Sequence, residues 1–238
     1  MTAQPENQLL MHAYSMEGIE QDWEKVMNMI KDELPKDVTA RTIPYREPAD
    51  LLKIWDEDFK STEKFDLTSL LQKIRSQSTN FRSKGYVAHQ VAISLPVTIL
   101  TSAFMSYLNN LTTVYEVGMV GNALEKIVIN ELCAKFGYAE GSTGVVASGG
   151  SLGNLTALVH ARTTTGIPDS EYHRLCVLVS EEAHYSVSRG AIIMGIRNEN
   201  IISIPCNQDG TMKTELLESI YQDAVSKQKI VFCVVGCA

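Results

Sequence analysis

Clusters of basic residues are missing from this 238-residue sequence, which carries a formal net charge of −7. Proteins that bind nucleic acid usually present a stripe or patch of lysine and arginine to the phosphate backbone. Residues 1–7 are polar and lack the basic stretch and apolar core of a secretory signal. The sequence therefore predicts a cytoplasmic protein with no nucleic-acid partner.

Long apolar runs and paired cysteines are also missing. The least polar stretch, 91–108, is interrupted by serine, threonine and proline, whereas a membrane span needs about 20 predominantly apolar residues. We interpret this stretch as a buried helix and predict no membrane partner. The five cysteines form no CxxC pair and mostly lie in apolar runs, which favours free thiols in a reducing compartment over zinc or disulfides. We therefore predict no metal.

The front of the chain has helical periodicity. Apolar residues recur every three or four positions over 17–34, 48–60 and 67–76, and two further helices are predicted over 95–111 and 119–136. Prolines 35, 44 and 48 indicate an extended connector between the first two helices. The composition shifts toward small and β-branched residues after Gly85, so we predict a helical N-terminal segment over 1–85 and an α/β domain over 86–238.

Strand and helix patterns alternate in the second half of the chain. Strands are predicted over 145–147, 175–179, 201–204 and 230–235, with helices from the glycine-rich turn to 162 and over 185–194 and 213–225. This alternation is typical of a parallel sheet covered on both faces. The chain stops after an apolar strand of the interior type, without the helix that would follow, so we expect a truncated domain.

A glycine-rich turn, Gly149-Gly150-Ser151, lies between the first predicted strand and its helix. Glycine allows close approach of a ligand, and the free N–H groups of a helix start favour an anion such as phosphate. The string also matches the G-x-S-x-G nucleophile elbow of hydrolases, although the helices before it do not fit that layout. Neither a G-x-G-x-x-G fingerprint nor a P-loop lysine is present. A turn that binds nothing also stays open.

His184 follows the strand predicted over 175–179 and opens the next helix. Ligands in open α/β sheets bind at the carboxyl ends of the strands, so His184 is expected to face the same crevice as the glycine-rich turn. Three other histidines have no such placement and are interpreted as surface or core residues; they are His12, His160 and His173.

Four segments in order resemble the group II pyridoxal-5'-phosphate (PLP) decarboxylases, the family of glutamate, aromatic amino-acid and 2,4-diaminobutyrate decarboxylases. The segments are GYVAHQ (85–90), VYEV (114–117), GVVASGGSLGNL (144–155) and SEEAHYSV (180–187). The resemblance implies an incomplete large domain of the PLP-dependent transferase-like fold (fold type I), a homodimer, and decarboxylation of an L-amino acid.

The same resemblance assigns roles to residues. Gly150 and Ser151 would bind the PLP phosphate, Gly149 would let the turn close, and His184 would stack on the pyridine ring and take part in catalysis. Gln90 would lie near the substrate carboxylate, where a neutral amide can donate a hydrogen bond.

The chain departs from the family in ways that matter. The Schiff-base lysine and the aspartate that pairs with the pyridine nitrogen would both lie beyond residue 238, Leu152 stands where an acid is common, and Gly153 where alanine is common. Without the lysine we expect this portion alone to be inactive. Two alternatives stay open: another PLP-dependent carbon–carbon lyase, and a non-catalytic truncated paralogue that dimerises.

Replacement of Gln90 by alanine in the complete enzyme is expected to raise the KM for the amino acid more than it changes PLP content, because the amide would contact substrate and not cofactor. Steady-state kinetics and PLP absorbance measure the two quantities. An unchanged KM would remove Gln90 from the site.

Overall fold

The structure is a computed structural model that describes residues 15–60, 66–87, 89 and 91–237. Its internal contacts divide the chain into two compact units, Met1–Leu108 and Asn109–Ala238. This division by contacts does not test the boundary predicted near Gly85. That boundary concerns where the cofactor-binding region begins, and it stays a prediction.

The described residues of the first unit form four helices, as the periodicity predicts. They are α1 (Met16–Asp37), α2 (Pro48–Phe59), α3 (Leu67–Gln77) and α4 (Pro96–Leu108). Polar side chains cap the N-termini of α1 and α3. The Ser15 hydroxyl accepts a hydrogen bond from the Gly18 N–H at 2.9 Å, and the Asp66 carboxylate accepts one from the Ser69 N–H at 2.9 Å. The Ser69 bonds hold the pKa of the Asp66 carboxyl below its ordinary value.

The prediction that an extended connector begins at Pro35 is wrong, because α1 continues through this proline to Asp37. The reason is tertiary. Asp37 is only 8% exposed, its carboxylate pairs with Arg75, and its carbonyl accepts a bond from the Asn80 amide at 2.7 Å. These contacts hold the last turn of α1 in the helical conformation.

Helix α4 is exposed, although the sequence predicts a buried helix in this stretch. None of its residues is buried, and the Tyr107 side chain is 81% exposed. The prediction of a helix in this stretch is confirmed, and the prediction of its burial is wrong for this chain.

The second unit begins with α5 (Tyr115–Lys135), which confirms the helix predicted over 119–136. Its backbone is non-helical at Met119, the first residue of the predicted helix, so the regular helix follows this residue. The helix ends at Lys135, and the chain then turns at Gly137, whose φ of +76° is the left-handed conformation that glycine adopts readily. This helix has an exposed apolar face: Leu124 is 55% and Ile127 57% accessible.

Three parallel strands form the sheet, β1 (Leu175–Ser180), β2 (Ile201–Ile204) and β3 (Ile230–Val235). Their order is β2-β1-β3, so β1 is hydrogen-bonded on both sides. These strands confirm three of the four that the sequence predicts.

Helices cover both faces of this sheet, as predicted. They are α6 (Gly150–Thr164), α7 (Ser186–Ile193) and α8 (Leu217–Ser226), joined by 3₁₀ turns at Asp169–Arg174, Asn198–Asn200 and Thr214–Leu216. On one face, Val177 packs in a cluster with Leu158 of α6 and Ala191 of α7. On the other face, Leu178 packs with Leu217 at the start of α8. Successive β1 side chains therefore serve opposite layers.

The cysteines of the sheet are free and partly or wholly buried. Cys176 in β1 is buried and Cys233 in β3 is half-buried. Burial raises the pKa of both thiols, because the thiolate is poorly solvated there.

The strand predicted over 145–147 is wrong, because these residues form no strand in the structure. A strand requires a neighbour, and this segment pairs with neither edge of the three-stranded sheet. Val145 and Val146 are about two-thirds exposed, at 67% and 64%. The segment is held instead by Glu125 of α5, whose carboxylate accepts a hydrogen bond from the Val146 N–H at 3.1 Å.

Among the described residues, no helix has both the length and the apolar character that crossing a membrane requires.

A close approach between α6 and α7 depends on Gly190. A Cβ at this position would lie 3.2 Å from Leu158 Cδ1 and 3.5 Å from Leu155 Cα, and Leu158 is only 3% exposed, with little space to move. We expect Gly190→Ala to lower the free energy of unfolding by about 1 kcal/mol, since crowding outweighs the gain in helix propensity.

Gly153→Ala is the matched control, because it is a helical glycine of α6 whose Cβ would meet nothing within 4 Å. It should raise stability by up to about 1 kcal/mol. Urea denaturation measures both variants, and equal stabilisation by the two would contradict this account of the helix contact.

Candidate cofactor site

The start of α6 is an open, uncapped helix terminus. Gly149 precedes the helix in an extended conformation and Gly150 begins it, and no side chain caps the first N–H groups. A Cβ added to either glycine would meet nothing within 4 Å. An uncapped helix start attracts anions through its free N–H groups and the helix dipole. This space and this polarity fit the phosphate of PLP.

His184 lies in the turn that follows β1, at the carboxyl end of the sheet. The turn is anchored by the Glu181 N–H, which donates to the Ile204 carbonyl of β2 at 3.0 Å, and by the Ala183 N–H, which donates to the Ser180 carbonyl at 3.0 Å. His184 itself is exposed. Its ring packs on Tyr185 with centroids 4.3 Å apart and a tilt of 38°. A second surface of the imidazole is thus accessible to a ligand.

A chain of hydrogen bonds joins α6 to His184. The Asn154 amide donates to the Ser186 hydroxyl at 2.8 Å, and this hydroxyl lies 2.7 Å from Nδ1 of His184. Asn154 is four residues after Gly150, so it lies one turn along from the helix start. The structure thus places His184 and the glycine-rich turn on two elements that are in direct contact.

Sequence reasoning missed Asn154 and Ser186. Asn154 was part of the glycine-rich segment and Ser186 part of the histidine segment, but neither had a role. The available signal was their spacing, four residues after Gly150 and two after His184.

Glu181 extends the network at this end of the sheet. Its carboxylate accepts a hydrogen bond from the Cys206 N–H at 2.5 Å, and the Cys206 thiol lies 3.0 Å from the Ser180 hydroxyl. These contacts tie the ends of β1 and β2 together. Among the residues that the structure describes, no group of three or more histidine, cysteine or carboxylate side chains could hold a metal ion. Gln90 lies outside the described residues.

A parallel sheet covered on both faces, a glycine-rich helix start and a histidine at the carboxyl end of a central strand are features of the fold type I class of PLP-dependent enzymes. The chain belongs to the pyridoxal-dependent decarboxylase family, because residues 75–238 match the pyridoxal-dependent decarboxylase conserved domain. This match confirms the resemblance drawn from the four sequence segments and PLP as the cofactor of the family.

Curated relatives are decarboxylases or are named after them. The chain is 33% identical over 157 residues to a glutamate decarboxylase-like protein of Gibberella zeae, covering 63% of this chain and 30% of that protein. It is 24% identical over 214 residues to an L-aspartate decarboxylase of Metarhizium robertsii, covering 87% and 41% respectively. The chain thus spans less than half the length of these relatives.

Solved structures confirm the fold. A 4-hydroxyphenylacetaldehyde synthase of Rhodiola rosea superposes with a TM-score of 0.83 at 18% identity, covering 93% of this chain and 50% of that one. The glutamate decarboxylase domain of a Vibrio parahaemolyticus protein superposes with a TM-score of 0.80 at 20% identity, covering 96% and 54%.

Gly150→Asp is expected to weaken PLP binding by about tenfold or more, because a carboxylate at the helix start repels the phosphate. The same carboxylate interacts favourably with the helix dipole, so the unfolding midpoint should stay the same or rise. Fluorescence titration with PLP and urea denaturation of the complete protein measure the two effects.

Gly150→Asn is the control, since it has nearly the same shape without the charge. Equal PLP affinity in the Asp and Asn variants would show that no phosphate binds at this helix start.

Proposed function

We propose that the complete protein containing this chain decarboxylates an L-amino acid with PLP. The observation that carries the proposal is the open, uncapped start of α6 joined by hydrogen bonds to His184. The family match over residues 75–238 supports the reaction class.

The phosphate would be held by the N–H groups of Gly150 and Ser151 and by the Ser151 hydroxyl. These groups lie where the helix dipole is positive, so they stabilise a dianion without a lysine or arginine. Gly149 has no side chain to block the approach. The phosphate end of the cofactor would thereby be fixed relative to α6.

His184 would orient the pyridine ring by stacking against it. A fixed ring plane sets the direction in which the bond to the carboxylate must break, and this orientation is the contribution of the protein. When bound, PLP supplies the sink for the electron pair that departing CO2 leaves behind.

The lysine that bonds the cofactor is proposed to lie outside these 238 residues, and this portion alone is proposed to be inactive. The coverage of relatives supports this, since the chain spans 41% of the L-aspartate decarboxylase. We also propose a homodimer. Its support is the exposed apolar face of α5, with Val120 60% and Ile127 57% accessible. A cytoplasmic location stays a prediction.

A second reaction on the same fold is a specific alternative. The structure from Rhodiola rosea is a 4-hydroxyphenylacetaldehyde synthase, although its fold matches this chain as well as the decarboxylases do. Fold therefore does not distinguish simple decarboxylation from related PLP chemistry.

The test is to express the complete reading frame and, in parallel, the 238-residue chain, and to assay each with PLP and a panel of L-amino acids. We expect the complete protein to release CO2 and the matching amine, and the shorter chain to release neither. An aldehyde product would favour the alternative reaction. A PLP-loaded complete protein that transforms no amino acid would indicate a non-catalytic paralogue.

His184→Ala should lower kcat of the complete enzyme by about tenfold or more while PLP remains bound, because ring orientation is lost and the phosphate contacts remain. His160→Ala is the control, since this exposed histidine of α6 has no proposed role. Turnover and PLP absorbance are the measurements. Full activity of His184→Ala would argue against stacking.

A further inference from the structure

Ser186 is the buried centre of the hydrogen-bond chain. Its residue is only 2% exposed, so its hydroxyl depends on protein partners for hydrogen bonding. It has two, the Asn154 amide at 2.8 Å and Nδ1 of His184 at 2.7 Å. Because a hydroxyl has a single hydrogen, the direction of its hydrogen bond with one partner determines the direction of its bond with the other.

A backbone group determines the direction of these bonds. The Ser186 N–H points at Nδ1 of His184 at 3.3 Å, and a backbone N–H can only donate. Nδ1 must then be an acceptor, so in the neutral imidazole the proton is on Nε2. A proton on Nδ1 would face the Ser186 N–H directly, which is unfavourable.

The directions of the other two hydrogen bonds follow from this assignment. The Ser186 hydroxyl has one hydrogen, which it donates to Nδ1, so its oxygen is free to accept. Asn154 accordingly presents its NH2 group and not its carbonyl oxygen. The order of donation is Asn154 amide to Ser186 hydroxyl to His184 Nδ1.

We propose that Asn154 and Ser186 are positioning residues that hold neutral His184 as the Nε2–H tautomer and restrict rotation of its ring. Nε2–H is then the hydrogen-bond donor of the ring. Because Asn154 belongs to the helix whose start would bind phosphate, the histidine is oriented relative to that phosphate. The tautomer itself follows from the structure alone, and its catalytic meaning rests on the proposed function.

Nitrogen NMR of ¹⁵N-histidine in the complete protein, without PLP and at alkaline pH, tests the tautomer. The His184 signals are identified by their loss in His184→Ala. We expect a protonated-type Nε2 and an unprotonated-type Nδ1. A wild-type spectrum with the proton on Nδ1, or with an even mixture, would overturn the proposal, and this measurement requires no folded variant beyond the one used for assignment.

Asn154→Asp tests the chain of bonds. A carboxylate cannot donate, so the Ser186 hydroxyl would turn toward it, and only the longer contact from the Ser186 N–H at 3.3 Å would still favour the Nε2–H tautomer. The expected result is a shift of the tautomer toward Nδ1–H, whereas Ser188→Ala, a serine on the same helix α7, leaves it unchanged. An unchanged tautomer in a folded Asn154→Asp variant would show that Asn154 does not influence the His184 tautomer through Ser186.

Ser186→Ala connects the tautomer to turnover. We expect kcat to fall about fivefold, the scale of one lost hydrogen bond, with PLP affinity nearly unchanged. A kcat of Ser186→Ala equal to that of the wild-type enzyme would show that Ser186 has no positioning role. Absence of PLP binding or of CO2 release in the wild-type protein would refute the proposed function, while the PLP-free NMR result would still decide the tautomer.

Discussion

The second unit depends on the burial of β1 from four directions. All six residues of the strand are buried, β2 and β3 bond to its two edges, and helices cover its two faces. A slip of one residue would exchange the two sets of side chains between the faces, so the register is strongly specified. The carboxyl end of β1 is consequently a fixed point, and the turn that bears His184 begins there.

The candidate site is built outward from this point. The turn is tied to β2 through the Glu181 N–H, and α7 starts directly after it with the buried Ser186. Gly190 allows α7 to approach α6, which brings Asn154 within hydrogen-bonding distance of Ser186. Core packing and site geometry are thus consequences of the same contact between two helices.

The helices outside this core present a different situation. Helix α4 buries none of its residues, and the apolar face of α5 is exposed, although both sequences have the composition of helices that normally pack. Apolar faces of this size are generally covered in a folded protein. This exposure agrees with a chain that spans 41% or less of the curated relatives described above.

Local sequence determined the elements and the family. A periodicity of 3.6 residues predicted the helices, because side chains that share a helix face recur at that interval, and short apolar runs predicted the strands, of which three of four are present. The glycine-rich turn and His184 were predicted as site residues from their places at the start of a helix and the end of a strand.

Tertiary structure alone decided the remainder. It extended α1 past Pro35 through contacts with Arg75 and Asn80, and it left residues 145–147 without a partner strand. It also joined Asn154 to Ser186, which lie 32 positions apart. The physical reason is common to all three: each outcome depends on a partner distant in the sequence, and a periodic pattern carries no information about which distant residue that partner is.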